Sequence, residues 1–235
     1  MKFRQLHGWA MSYKAAVALQ QRLVRRVSLR NAVGRLRLVG GVDVSYSRGD
    51  DTMYAGVVVV DVRDWSLVER QGAVRKSRFP YIPGLLSFRE APSILGALRK
   101  LKTEPDCIIT DGQGIAHPRG LGIGAHIGII ANIPTVGCAK SRLVGEHRAV
   151  GARRGSYASL KHGGRTIGRV LRTREGVKPV FVSPGHMVSI PRAARIVLDC
   201  CHGYRLPEPI RLAHAYVNEM RKKGGLKDDC HHYEA

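Results

Sequence analysis

The stretch LRLVGGVDVSYSRGDDTMYAGVVVVDVRDWSLVERQGAVR, Leu36–Arg75, decides the fold. It holds three β-rich runs, Leu36–Tyr46, Tyr54–Val62 and Ser66–Arg75, divided by short breaks. Arg48-Gly49-Asp50-Asp51 supplies the first turn, and Gly40-Gly41 suggests a bulge or a close backbone approach. A parallel return needs a crossover of about a dozen residues. Breaks this short therefore predict an antiparallel meander. Upstream, Ala16, Leu19, Leu23 and Val27 recur at helical spacing behind Ser12, a plausible cap, and predict an amphipathic helix with a basic outer face. Downstream the pattern alternates: helix over Ala91–Leu101, buried strand over Asp106–Thr110, glycine-containing helix over Gly122–Ala131, strand over Thr135–Ala139. A β-rich pair at Arg165–Arg172 and Lys178–Val182 follows, then helices over Pro191–Cys201 and Ile210–Arg221. The expected class is α/β, with a mixed central sheet, meander first and parallel strands after, flanked by helices. No repeat or composition break divides the 235 residues, so one domain is expected over 1–235, with 222–235 a frayed polar tail.

Charge points to a partner. Lys and Arg number 39 against 18 Asp and Glu, a formal +21, and nine of the basic residues precede the first acid, Asp43. Lys140–Lys178 adds eleven more against Glu146 and Glu175 alone. A folded basic surface attracts polyanions by counterion release, and nucleic acid is the commonest of them; a merely solubilising surface is the duller reading. At 44% hydrophobic residues the chain is ordinary for a globular protein, not a disordered one. Its five cysteines form no C-x-x-C pair, which reads as reduced thiols of a cytosolic protein. Val57–Val60 is the longest clean apolar run and the N-terminus lacks a secretory core, so a cytoplasmic protein with no membrane span is expected.

With acids scarce, those inside apolar strands stand out. Asp43 lies mid-strand between Val42 and Val44; Asp111 ends CIITD before Gly112-Gln113-Gly114, at the strand end where open α/β sheets gather ligands. A buried carboxylate needs a compensating cation, and two on adjacent strands suit a hard ion such as Mg²⁺ or Mn²⁺. Each alone also fits a turn or an ion pair. Asp61, at a strand end before a turn, is read as structural. Glu90 has two readings: the far end of a capping box begun by Ser87, or, if Pro92 opens the helix, a side chain free to enter a site. His117 follows the glycine-rich turn, and His214 sits on a helix where a packed or surface role is the commoner one. Cys230-His231-His232 is given no role.

Six segments, in order, resemble the endonuclease V family, nucleases acting on deaminated purines: GGVDVSY (40–46), PYIPGLLSFRE (80–90), TDGQGIAHPRG (110–120), GCAKSRL (137–143), KPVFVSPGH (178–186) and RLPEPIRLAH (205–214). The likeness runs over about residues 5–220. It implies a ribonuclease H-like fold and hydrolysis of the second phosphodiester bond 3′ to hypoxanthine, leaving the base attached. It also implies metal-binding roles for Asp43, Glu90 and Asp111, with His214 at the catalytic centre and Mg²⁺, or Mn²⁺ in its place, as cofactor. Lys140 and His117 would contact phosphate. Pro80 and Pro83 would stiffen a wedge carrying Tyr81 and Ile82, while Gly84, Gly112, Gly122 and Ile123 would wall the base pocket. The expected partner of this monomeric repair enzyme is DNA carrying a deaminated purine. The alternatives are an inosine-specific endoribonuclease of the same family and a non-catalytic basic nucleic-acid-binding module. The Arg-rich 146–162 stretch fits the family pattern poorly and has no assigned role.

Overall fold

A computed structural model describes residues 1–47 and 49–224. In chain order the elements are α1 (Tyr13–Leu23, extended by a 3₁₀ turn, Val24–Arg26), β1 (Leu38–Tyr46), β2 (Thr52–Asp61), β3 (Leu67–Lys76), α2 (Leu86–Leu98), β4 (Cys107–Thr110), α3 (Ile123–Ala131), β5 (Thr135–Ala139), β6 (Tyr157–His162), β7 (Arg165–Leu171), β8 (Val180–His186), α4 (Ile190–Asp199) and α5 (Glu208–Lys222). They build an eight-stranded sheet in the order β3-β2-β1-β4-β5-β8-β7-β6. The first three strands form the expected meander, β1, β4 and β5 run parallel, and β8, β7 and β6 return antiparallel.

Both faces of the sheet are covered, and the strand alternation distributes the core accordingly. Val42, Val57 and Ile108 face the layer that holds Leu19, Phe88, Ile94 and Ile127. Their neighbours of opposite parity, Val39, Val60 and Ile109, face Ile196, Val197 and Ile210. Ser12 caps α1, accepting from the Ala15 amide at 3.3 Å. Two glycines make room for α5. A Cβ on Gly41 would lie 2.1 Å from the Pro209 carbonyl oxygen, and one on Gly56 would lie 2.7 Å from Val217. That close approach places the α5 side chains directly over β1. Cys107, Cys138, Cys200 and Cys201 are buried and unpaired, as expected for thiols; Cys230, with the two histidines after it and the rest of 225–235, lies outside the described residues.

Three sequence expectations are corrected. The second helix begins at Leu86, not Ala91, so Pro92 is interior and Ser87 is no cap. Packing of Phe88, Ile94 and Leu95 in the core outweighs the one helical hydrogen bond that proline cannot make. Strand β6 was not anticipated; only Leu160 in it is buried, and its pairing with β7 defines it. Strand β8 continues to His186 through Pro184, which sits beside the irregularity at Thr135/Val136 where a ladder tolerates proline. No described helix is long and apolar enough to cross a membrane.

Candidate active site

The parallel pairing of β1 with β4 ends at Val42 and Thr110, so Asp43 and Asp111 are the next residue on each strand. The Asp111 amide still donates to the Val42 carbonyl, at 3.4 Å. Alternation then assigns the faces of β1. Gly41, Asp43 and Ser45 meet α5: Gly41 against Pro209, the Asp43 carboxylate 2.7 Å from His214 Nδ1, Ser45 Oγ 3.2 Å from Asn218 Oδ1. Val44 packs into the layer that holds α2, and the Tyr46 hydroxyl donates to the Glu90 carboxylate. Asp43, Glu90, Asp111, Lys140 and His214 thus line one cavity of about 270 Å³, against Ile94 and Ile123. The sequence brought out all five; the fold brings them together. Glu90 gets there by neither of its two readings, because it projects from within α2.

The cavity is electrostatically expensive. Burial, and then the neighbouring Asp111 carboxylate, push the Asp43 carboxyl up, against the His214 hydrogen bond. Burial pushes Glu90 up to about 7, opposed by the Tyr46 hydroxyl and reinforced by Asp43 and Asp111. Each acid has its own donor: Tyr46 for Glu90, His214 for Asp43, and the Lys140 ammonium for Asp111. So distributed, no three His, Cys, Asp or Glu side chains among the described residues are grouped to hold a metal ion. The three acids expected to bind a metal thus share one cavity, each with an individual partner.

Two participants escaped the sequence reading, Tyr46 and Asn218. The Asn218 Oδ1 faces Ser45 Oγ and accepts from Arg221 at 3.3 Å, which turns Nδ2 toward His214, 3.0 Å from Nε2 and 2.9 Å from its carbonyl oxygen. This network assigns the tautomer: Nε2 accepts, and Nδ1 carries the hydrogen donated to Asp43. The i,i+4 spacing from His214 was the available signal for Asn218, and the period of two from Val44 was the signal for Tyr46.

The loop expected to act as a wedge exposes one of its two apolar side chains. Tyr81 is 69% exposed, whereas Ile82 packs against the core, so the tip is one residue wide. Pro83-Gly84 forms a tight turn closed by the Leu85 amide on the Ile82 carbonyl, at 2.9 Å, with Gly84 at φ +77°, a conformation glycine adopts without strain. The Gly84 carbonyl accepts from Gln20, Arg119 and His117 Nε2. His117 is buried and neutral, held down to about 4 by desolvation. It secures the turn through the Gly84 carbonyl. Asp61 is the structural residue it was read as, buried between Arg37 and Arg63. Gly112 and Gly122 have a packing reason of their own: a Cβ on them would meet Ile123 at 2.6 Å and the Gln113 carbonyl oxygen at 2.4 Å.

A family model for endonuclease V matches residues 19–215. Endonuclease V of Dehalococcoides mccartyi is 47% identical over 220 residues, 94% of this chain and 99% of that protein. The chain belongs to the endonuclease V family. Endonuclease V of Streptomyces avermitilis, a crystal structure, matches with a TM-score of 0.88 at 39% identity, over 95% of this chain and 99% of that one. Endonuclease V of Ciona intestinalis, crystallised with a 24mer DNA containing an inosine followed by a ribo-adenosine, matches with a TM-score of 0.79 at 27% identity, over 89% and 97%. The fold is ribonuclease H-like, and as an endonuclease V the protein is a deoxyinosine 3′ endonuclease of DNA repair.

Proposed function

We propose that this endonuclease V hydrolyses the second phosphodiester bond 3′ to deoxyinosine in DNA, with Asp43, Glu90 and Asp111 holding a Mg²⁺ ion for which Mn²⁺ substitutes. The observation that carries the reading is the convergence of three acidic side chains, two of them raised by burial and by neighbouring carboxylates, in one cavity where the β1–β4 ladder ends. Hard carboxylate oxygens in a charge-starved cavity fit a hard divalent ion. When bound, such an ion polarises a scissile phosphate and lowers the pKa of water. The chain's own residues prepare that event. The Glu90 and Asp111 oxygens not engaged by Tyr46 and Lys140 would hold the ion. The Lys140 ammonium, half-exposed at the rim, would lie beside the incoming phosphate. His214, held by Asn218, keeps one Asp43 oxygen occupied and so orients the other. Tyr81 fills the gap left in the stack when the lesion moves into the pocket.

The test is a nicking assay on matched substrates carrying deoxyinosine in DNA or inosine in RNA, with and without Mg²⁺. Nicking of the DNA that requires the ion supports the assignment; preferential cutting of the RNA would reassign the protein as an inosine ribonuclease. Binding without cleavage of either would leave only a nucleic-acid-binding module.

A further inference from the structure

The strands β5, β8, β7 and β6 form one wing of the sheet, and its loops lie at the same edge as the carboxylates. β5 runs parallel to β1 and β4, Ala139 pairs with Phe181, Leu171 with Val180 and Tyr157 with Leu171. The segments after β5, before β6 and between β7 and β8 are therefore neighbours, and they carry Arg142, Arg153, Arg174 and Lys178. All four are exposed, and none has a side-chain hydrogen bond or an ion pair with a described residue. Other arginines brace the loops that present them. Arg172 donates to the carbonyls of Val150, Gly151 and Val177; Arg205 bridges those of Lys140, at 2.6 Å, and Pro179, at 2.9 Å; Arg154 reaches Leu198 at 2.8 Å. The Arg205 bridge ties this wing to Lys140, at the rim of the cavity.

We propose that this braced basic wing seats the DNA duplex on the 3′ side of the nick. The inference rests on the endonuclease reading. The Tyr81 loop leaves β3, on the opposite wing, and the carboxylates lie between the two. The bond cut is 3′ to the lesion, so a strand running from Tyr81 past Asp43 and Asp111 continues, in the 3′ direction, over β5, β8, β7 and β6. Three inter-strand steps from β5 to β6 span about 15 Å. Duplex DNA carries one charge per roughly 1.7 Å of axis, so a reach of this size covers several phosphates. Fixed loops lose little freedom on contact, which favours a built surface over a merely solubilising one.

The experiment compares the wild type with the variant R142Q/R153Q/R174Q/K178Q on two deoxyinosine duplexes, one extending about fifteen base pairs 3′ of the nick and one only about one. On the long duplex the variant should bind about tenfold or more weakly near 0.15 M salt, and the slope of log K against log salt should fall by about 3. On the short one it should bind and nick like the wild type. Shortening the 5′ flank instead should leave the difference between the two proteins intact. Equal losses on both duplexes, or none on either, overturn the proposal. A wild type that nicks neither duplex overturns the endonuclease reading, and this proposal with it.

Discussion

The centre of the sheet and its β6 wing treat charge in opposite ways. At the junction of β1 and β4, few charges are present, all are acidic apart from the Lys140 and His214 partners, and each is tied to one donor inside a small cavity. On the wing, charges are many, basic, exposed and free of acidic partners among the described residues. Chemistry on a phosphate needs carboxylates that are desolvated and therefore avid for a cation; binding a polyanion needs cations that remain solvated and simply exchange counterions. The roles proposed for the two regions make catalysis and affinity separable by location.

The sharpest way to break that separation is Asp43→Ala or Asp111→Ala. Nicking should fall by about three orders of magnitude or more, while binding of deoxyinosine DNA stays within a few-fold. A parallel collapse of binding would merge the two regions. Next in size is the stability cost of the central acids. Glu90, near 7 in the folded chain against about 4.3 unfolded, binds more protons folded than unfolded between those values. Its contribution is fully present below the unfolded value and is lost as pH rises through 7, by up to about 3 kcal/mol. Urea midpoints with divalent ions chelated should fall from pH 5 to pH 8, Glu90→Gln should flatten the profile, and added Mg²⁺ should stabilise most at the alkaline end. A wild-type profile that is already flat refutes the account.

Tyr81→Ala sharpens the comparison on the other wing. It should weaken lesion binding about tenfold, the worth of roughly one stacked base, while binding to undamaged duplex is unchanged. Equal losses in titrations of the two DNAs would end the wedge role. The smallest effect is that of Asn218→Ala. Releasing His214 Nε2 should lower kcat by about tenfold and move the pH–rate profile, with KM unaltered; an unmoved profile with only a lower Tm would make Asn218 merely structural.

How much was readable depended on how local each cause was. The meander and the alternating half are dictated by hydrophobic period and loop length, both local, and they appear as expected. The start of α2 is not local: Pro92 inside a helix contradicts propensity, and only the core contacts of Phe88 and Leu95 override it. β6 is equally opaque, because it buries a single side chain, Leu160. Among site residues, Asp43 and Asp111 betrayed themselves as acids in apolar strands. Glu90 and His214 had reasonable dull readings, and Tyr46 and Asn218 gave only a spacing signal, two from Val44 and four from His214. Neither the burial of His117 nor the packing of Ile82 could be foreseen, since both depend on a turn held by α1 and the loop after β4.

What the sequence alone determined is the class of the sheet, the basic character of the surface, the family's six motifs and the two strand-borne aspartates, all properties written within a few consecutive residues. Tertiary structure alone decided that α5 could press His214 onto Asp43 across two glycines, that Glu90 would meet Tyr46, and that the unassigned arginines would share an edge with the carboxylates. Those outcomes require residues up to 171 positions apart to share one cavity, and proximity of that kind is a property of the packed chain and not of any segment of it.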